Sequence, residues 1–165
     1  MPQSGAQGFE QLVGLLDYPI FVVTTRFEET RAGCVVGFTS QTSINPPRFL
    51  VGLSKHNFTF RVAQNASHLA VHLLERRSLE LAKMFGGQTG DDIDKFARCD
   101  WHDGPEGMPI LDDASAWFVG AITKRFDVGD HVGHLLEPIA GNAPDELTDL
   151  VTFSDVRDIE AGHDA

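Results

Sequence analysis

Hydroxyl and amide side chains are concentrated in one short stretch, residues 37–43, which has the sequence Gly-Phe-Thr-Ser-Gln-Thr-Ser. The stretch supplies hydrogen-bond donors and acceptors at nearly every position, and Gly37 allows a ligand to approach the backbone closely. A flavin ring, which carries O2, N3, O4 and N5 along one edge, needs a surface of this kind. The alternative is a polar surface loop whose hydroxyls bond to their own backbone, and composition alone favours that alternative.

A second polar stretch, residues 54–59, follows the apolar strand predicted for residues 49–53 and stands at the predicted start of a helix. N–H groups at helix N-termini bind phosphate, and a lysine such as Lys55 and nearby hydroxyls add to this binding. The alternative is a helix N-cap at Asn57 or Thr59 beside a solvated lysine. The interpretation as a phosphate site is strengthened because a single predicted strand separates this stretch from the first polar stretch.

A histidine stands in a predicted hairpin turn with the sequence Gly129-Asp130-His131. Its imidazole could serve as an acid, or it could position a substrate amide or the edge of a flavin. Taken alone, a histidine in a turn is more often simply exposed. The turn therefore indicates a function only in combination with the two polar stretches.

The chain contains seven histidines and two cysteines, which raises the question of a metal site. His68 and His72 have the spacing of a ligand pair on a helix, but residues 68–74 alternate as a strand. No glutamate completes an HExxH pattern, and the two cysteines lie far apart in the sequence. The sequence therefore predicts no metal site and no disulfide framework.

Composition limits the classes of protein to which the chain can belong. Its 165 residues suit a single domain (residues 1–165, with a core over about 8–155), and 42% apolar residues suffice for a core. A net charge of −11 opposes general nucleic-acid binding. No apolar run approaches a membrane span, and the N-terminus lacks the pattern of a signal peptide. We therefore expect a cytoplasmic protein that binds neither nucleic acid nor membrane.

Many short predicted strands and a few short helices indicate a mainly β fold, a closed or nearly closed barrel. Strands are predicted over residues 20–25, 32–37, 49–53, 68–74, 115–127 and 131–139, with a last edge strand over 151–153. Helices are predicted over residues 8–16, 59–65 and 77–85. Residues 38–45 show little strand character, residues 88–114 are expected to be irregular, and residues 156–165 are expected to form a frayed tail.

The motifs of the larger nucleotide-binding folds do not occur in this sequence. No GxGxxG opens a βαβ unit, no Walker pattern is present, and no serine stands in a GxSxG turn. Hydride chemistry in this chain would therefore not use a Rossmann domain.

The order and spacing of several motifs resemble one known family over about residues 8–139. The motifs are Arg31-Ala32-Gly33, the hydroxyl-rich stretch to Ser43, Pro46-Pro47, residues 50–54, residues 81–86, Lys95-Phe96, residues 100–102, residues 109–117 and Gly129-Asp130-His131. Together they resemble the flavin reductase-like, FMN-binding split-barrel family. One departure is Val35, at a position where family members commonly have threonine.

The resemblance implies a role for each stretch. The residues implied to contact the isoalloxazine are Gly37, Phe38, Thr39, Ser40 and Gln41. Those implied to hold the phosphate and ribityl chain are Ser54, Lys55, His56, Asn57 and Thr59. Phe85 would line the site, and His131 would lie near the nicotinamide and the reactive face.

The resemblance also implies a six-stranded split β-barrel with a few short flanking helices, a homodimer, and a flavin near the subunit interface. The implied activity is hydride transfer from NADH or NADPH to FMN or FAD, which supplies reduced flavin to a separate monooxygenase. One alternative is a flavin-binding or storage protein without efficient turnover. Another is a binder of heme or a deazaflavin on the same fold, because a fold does not determine a function.

Overall fold

Runs rich in β-branched and aromatic residues form one antiparallel sheet of seven strands in the computed structural model, which describes residues 2–87 and 93–158. The strands are β1 (Phe21–Phe27), β2 (Thr30–Val36), β3 (Thr39–Ser43), β4 (Arg48–Ser54), β5 (His68–Leu73), β8 (Ala116–Asp127) and β9 (His131–Asn142). Their order in the sheet is β2-β1-β5-β8-β9-β4-β3. A separate ribbon pairs β6 (Trp101–Asp103) with β7 (Pro109–Leu111).

This architecture differs from the closed or nearly closed barrel predicted from the strand pattern, and from the six strands of the split barrel that the resemblance implies. The main sheet has seven strands, and within the described residues its two edges, β2 and β3, are not hydrogen-bonded to each other. The extra strand is β3, in the segment expected to lack strand character. Most of its side chains are exposed on both faces, so that the strand shows no apolar alternation. The fold is therefore mainly β with a large open antiparallel sheet.

The long hairpin of β8 and β9 confirms the predicted pairing of these two segments. Each strand has 12 residues, and they pair from Trp117 opposite Asn142 to Asp127 opposite Val132. Gly129 in the turn has a φ of +133°, a conformation that L side chains rarely adopt. This turn fixes the position of His131 at the start of β9.

The described part of the chain contains four α-helices that flank the sheet: α1 (Gly5–Gly14), α2 (Phe58–Ala63), α3 (Leu79–Gly87) and α4 (Phe153–Val156). Helix α1 begins at a capping box of Ser4 and Gln7, which satisfies backbone donors in its first turn. No residue of α1 is buried, and Phe9, at 65% exposure, lies on its apolar side. The predicted helix over residues 8–16 is thus present, but its apolar side is uncovered in the single chain.

Among the described residues, three buried clusters hold the sheet and its helices together, and two of them are large. One contains Val23, Val51, Leu69 and Leu136 from four strands. The other lies beneath α3 and contains Leu74 and Phe85, among others. Close packing of this kind makes truncation of a buried leucine to alanine cost about 2–5 kcal/mol. The sheet that carries the polar stretches is therefore a rigid support.

The prediction of an edge strand over residues 151–153 is wrong. Residues 151–153 form no strand; Thr152 makes one isolated bridge with Pro19 and caps α4 through a reciprocal bond with Asp155. The ring of Phe153 stacks on Tyr18 with centroids 5.1 Å apart. Val156, expected in a frayed tail, packs against the second cluster. Residues 159–165 of that tail lie outside the described residues.

The segment expected to be irregular over 88–114 contains short regular pieces. Its residues 88–92 lie outside the described residues. The remainder contains 3₁₀ turns at Lys95–Arg98 and Pro105–Gly107 as well as the ribbon of β6 and β7. No helix among the described residues has the length and apolar character needed to cross a membrane.

Candidate functional site

The second polar stretch and the turn histidine meet across the pairing of β4 and β9. Ser54, the last residue of β4, lies directly opposite His131. The next residue, Lys55, donates its backbone N–H to the carbonyl of Asp130 over 2.9 Å. Residues that are far apart in the sequence therefore form one continuous surface.

The first polar stretch joins the same surface from the other side of β4. Strand β3 pairs with β4, with Thr39 opposite Val51, and the N–H of Gly52 donates to the carbonyl of Phe38 over 2.8 Å. The ring of Phe38 lies 4.7 Å from the ring of His131 at an angle of 48°. The structure thus brings together three of the segments implied by the resemblance.

Gly52 lies in close contact with Phe38, and no sequence pattern selects it as a site residue. A Cβ at this position would lie 3.3 Å from both the Cβ and the carbonyl oxygen of Phe38. That distance is tighter than ordinary side-chain contacts, so a larger residue would push Phe38 away from the strand. Only the fold, which places Phe38 against β4, reveals this requirement.

A cavity of about 520 Å³ lies beside residues 37–41. These residues form one wall, while Leu16, Tyr18, Phe21 and Phe49 contribute apolar and aromatic surface to the rest. Cavities that bind small molecules have this size, and combine a mostly apolar lining with a few polar groups. The cavity can therefore receive a planar heterocycle against the polar stretch.

The hydroxyl and amide groups of the first stretch make local bonds in the single chain. The hydroxyl of Ser40 donates to the carbonyl of Gln41 over 3.0 Å, and the Gln41 amide donates to the carbonyl of Ser43 over 3.3 Å. This is the behaviour expected of a self-bonding polar loop. Both side chains are exposed, so a ligand could replace these bonds at little cost.

The second stretch is ordered by its own side chains. The Ser54 hydroxyl accepts the N–H of His56 over 3.3 Å, and Asn57 caps α2 by accepting the N–H of Thr59 over 2.8 Å. Of the two candidate N-caps, Asn57 is therefore the cap. Thr59 is only 1% exposed, so it supports the stretch from below rather than presenting its hydroxyl to a ligand.

Lys55 supplies the positive charge of this stretch. Its ammonium lies 2.9 Å from a carboxylate oxygen of Asp127, at the end of β8. The hydrogen bond from Lys55 holds the pKa of Asp127 below its usual range. Both side chains are well exposed, so this ion pair contributes little to stability and can exchange for another anion.

His131 is oriented by its neighbour in the turn. Its Nδ1 lies 2.7 Å from a carboxylate oxygen of Asp130, and this bond lowers the pKa of the Asp130 carboxyl. A proton on Nδ1 directed at the carboxylate leaves Nε2 as the acceptor in the neutral ring. The side chain of His131 remains 20% exposed. The bond to Asp130 therefore leaves Nε2 as the ring nitrogen available to a ligand.

Phe85 lies in the core and does not line the cavity beside residues 37–41. It is 1% exposed and packs edge-on against Phe96 with ring centroids 5.7 Å apart. A Cβ added to Gly33 would lie 2.7 Å from its ring, so strand and ring are in close contact. Val35, where the chain departs from the family pattern, packs against Gly86 of α3 in the same region.

The histidines considered as metal ligands have structural environments. His72 is fully buried, with Nδ1 2.9 Å from the carbonyl of Val22, and its Nε2 accepts the N–H of Leu111 over 3.1 Å. Burial lowers the pKa of His72 to about 4. Across the described ranges, no group of three or more His, Cys, Asp or Glu side chains could hold a metal ion.

Residues 13–158 match the family model of the flavin reductase like domain, and the chain belongs to this family. A curated relative from Rhizobium meliloti, named "Probable flavin reductase", is 31% identical over 114 residues, which are 67% of this chain and 36% of that protein. The reductase component of 4-hydroxyphenylacetate 3-monooxygenase from Pseudomonas aeruginosa is 26% identical over 132 residues, 79% of this chain and 78% of that protein.

The fold agrees with solved structures of this family. The NADH:FAD oxidoreductase SgcE6 of Streptomyces globisporus superposes with a TM-score of 0.82 at 23% identity, covering 94% of this chain and 92% of that chain. Identity this low shows a shared fold alone. This chain spans less than half the length of several curated relatives that it matches, from 21% to 44%.

Proposed function

We propose that the chain binds FMN or FAD on the surface formed by residues 37–41, residues 54–57 and His131, and reduces it with NADH or NADPH. The observation that carries this proposal is the convergence of the three segments across β3, β4 and β9. Membership of the flavin reductase family supports it. The relatives named as reductase components of monooxygenases support a role in supplying reduced flavin to a separate oxygenase.

The ring would lie in the cavity beside the first stretch. Gly37, Phe38, Thr39, Ser40 and Gln41 offer backbone amides and short polar side chains along one wall. Donors directed at a ring edge stabilise the negative charge that reduction places there. The apolar opposite wall would exclude water from the other side of the ring.

The phosphate would lie at the second stretch. Lys55 provides a positive charge, Ser54, His56 and Asn57 provide polar groups, and Thr59 fixes the start of α2 beneath them. To bind phosphate, Lys55 must exchange its bond to Asp127 for the ligand. Because that ion pair is exposed, the exchange costs little.

Flavin, when bound, supplies the hydride acceptor, and the chain supplies orientation. The ring of His131 lies beside the ring of Phe38, where its Nε2 can accept a hydrogen bond from the carboxamide N–H of a nicotinamide. Asp130 holds the imidazole in one orientation. These residues bind and position the reactants, which brings them into reacting geometry.

The family's split barrel and homodimer belong to the same proposal. Side chains of β2 (Cys34, Val36) and of β4 (Val51, Leu53) share one buried cluster, which supports a sheet curved into a partial barrel. The uncovered apolar side of α1 ends at the cavity, where Val13 and Leu16 line the wall. A second copy covering this helix would close a flavin site at the subunit interface.

Visible absorption spectroscopy and a nicotinamide oxidation assay test the proposal together. The purified chain, mixed with FMN or FAD, is expected to perturb the flavin spectrum at micromolar concentration and to oxidise NADH or NADPH in a flavin-dependent way. Absence of flavin binding would overturn the proposal. Binding without nicotinamide oxidation would support the flavin-storage alternative instead.

A further inference from the structure

A second cavity, of about 370 Å³, adjoins the phosphate stretch at Phe58. It is lined by Glu29 and residues 30–33 of β2, by residues 93–96, which form a facing wall because Lys95 bonds to the Gly33 carbonyl, and by Phe58. Phe58 directly follows Asn57 in the sequence. A ligand whose phosphate binds residues 54–57 can therefore extend into this cavity with the group that follows the phosphate.

The outer edge of β2 presents backbone groups to this cavity. In an antiparallel pair, alternate residues direct both their N–H and C=O groups toward the partner strand or away from it. The carbonyl of Gly33 faces away from β1, because it accepts the ammonium of Lys95 over 2.9 Å from the facing wall. Arg31, two residues earlier in the same strand, shares this orientation. Its N–H and C=O stand side by side on the cavity's edge.

An adjacent donor and acceptor of this kind match adenine. The purine carries a ring-nitrogen acceptor beside an exocyclic amino donor, so a single outward-facing residue can pair with both. Phe58 offers an aromatic surface at the end of the cavity on which a base can stack. The guanidinium of Arg31, held 4.5 Å from the centre of the Trp101 ring, adds a fixed positive charge beside the strand.

We infer that this second cavity binds the adenylate half of a dinucleotide, and that the dinucleotide is FAD. The inference rests on the proposed function, because it places the flavin phosphate at residues 54–57. FMN ends at that phosphate and leaves the cavity unused, whereas FAD continues past it. The chain therefore binds FAD more tightly than FMN.

Titrations of the full chain with FMN and with FAD test this inference. Wild type is expected to bind FAD at least about ten-fold more tightly than FMN, the range set by a few charge-assisted bonds and one stacked base. Arg31→Gln is expected to weaken FAD binding about ten-fold and to leave FMN binding within about two-fold. Arg31→Lys, which retains the charge, should lose less. The control Arg77→Gln removes an exposed arginine that does not line the cavity and should change neither affinity.

Several outcomes overturn the inference while leaving the proposed function intact. Equal affinities of wild type for the two flavins would do so, as would equal losses of FMN and FAD affinity in Arg31→Gln. AMP is expected to compete with FAD and not with FMN, and any other pattern counts against the cavity. A raised KM for NADH with unchanged FAD affinity in Arg31→Gln would assign the cavity to the nicotinamide nucleotide. A chain that binds neither flavin would overturn both proposals.

Discussion

The ring of Phe38 lies 4.7 Å from the ring of His131, and both lie beside Gly52, whose N–H donates to the Phe38 carbonyl. Phe38 is nevertheless 60% exposed. An exposed aromatic ring held in place by the backbone of one strand and a histidine of another is a surface for a planar ligand. This relationship joins the proposed ring site to the proposed reactive histidine.

Phe38→Ala is expected to weaken flavin binding about ten-fold, the range measured for loss of one aromatic stacking surface. Because the ring is exposed, the free energy of unfolding should change by less than about 0.5 kcal/mol. Fluorescence titration and thermal unfolding measure the two effects. Phe126→Ala, at another exposed phenylalanine, is the control and should alter neither. Unchanged flavin affinity in Phe38→Ala would remove Phe38 from the site.

His131→Ala is expected to slow nicotinamide oxidation about 100-fold and to change flavin affinity by less than about two-fold, because its role is to position the nicotinamide. Steady-state rates at saturating flavin and a separate flavin titration distinguish the two effects. Asp130→Asn retains the histidine but changes its hydrogen-bond partner, so its loss should be smaller. Equal losses of rate and flavin affinity in His131→Ala would reject the assigned role.

Asp127→Asn is expected to tighten flavin binding about two- to five-fold, because it releases Lys55 from an exposed ion pair and removes a negative charge near the phosphate. The gain should shrink as salt is added, since screening weakens exposed charge interactions. Titration at low and high ionic strength checks both points. Asp145→Asn, an exposed aspartate away from the site, makes the same charge change as a control. A weaker affinity in Asp127→Asn would show that phosphate does not use Lys55.

Acid is expected to destabilise the fold through His72. Burial lowers the pKa of His72 in the folded chain to about 4, against 6.5 for an unperturbed histidine. Between these two pH values the histidine is protonated in the unfolded chain and neutral in the folded chain. This contribution to stability is complete above pH 6.5 and is lost as the pH falls from 6.5 to 4. It amounts to roughly 3 kcal/mol.

Urea unfolding between pH 7 and pH 4 measures this loss. His72→Gln should be less stable than wild type at pH 7, because it disturbs the bonds to Val22 and Leu111, but should lose less stability on acidification. Some loss will remain, since burial also lowers the pKa of His134. An identical slope for the two proteins would contradict the assignment to His72.

Local sequence patterns predicted the elements that depend on neighbouring residues. The hairpin ending at His131 and the helix capped by Asn57 are encoded by turn and capping residues within a few positions. Strand β3 was missed because a mostly exposed edge strand has no apolar alternation. The number of strands and the open edges of the sheet depend on long-range pairing, which no local pattern records.

The candidate site, like the fold, was predicted from the sequence only in part. The polar stretches were visible in the sequence, and the fold brings them together. Phe85 was assigned to the ligand but packs beneath β2, because its apolar ring is more stable in the core. Gly52 carries no side chain and so no chemical signal, although its close contact with Phe38 shapes the site.

Flavin titration of wild type and of Gly52→Val tests whether residues 37–41, residues 54–57 and His131 form one flavin site. A Cβ at position 52 would lie 3.3 Å from the Cβ and the carbonyl oxygen of Phe38, so Phe38, which directly precedes β3, must shift by a few tenths of an ångström, and the valine methyl groups add to this shift. Gly5→Ala, at the far end of α1 from the cavity and with nothing within 4 Å of the new methyl group, is the control. Thermal unfolding confirms that each variant is folded.

Wild type and Gly5→Ala are expected to bind flavin at micromolar concentration, and folded Gly52→Val is expected to lose at least about ten-fold in affinity, the size of one lost stacking or charge-assisted contact. Absence of binding by wild type, or an unchanged affinity in Gly52→Val, would contradict the proposal of one flavin site.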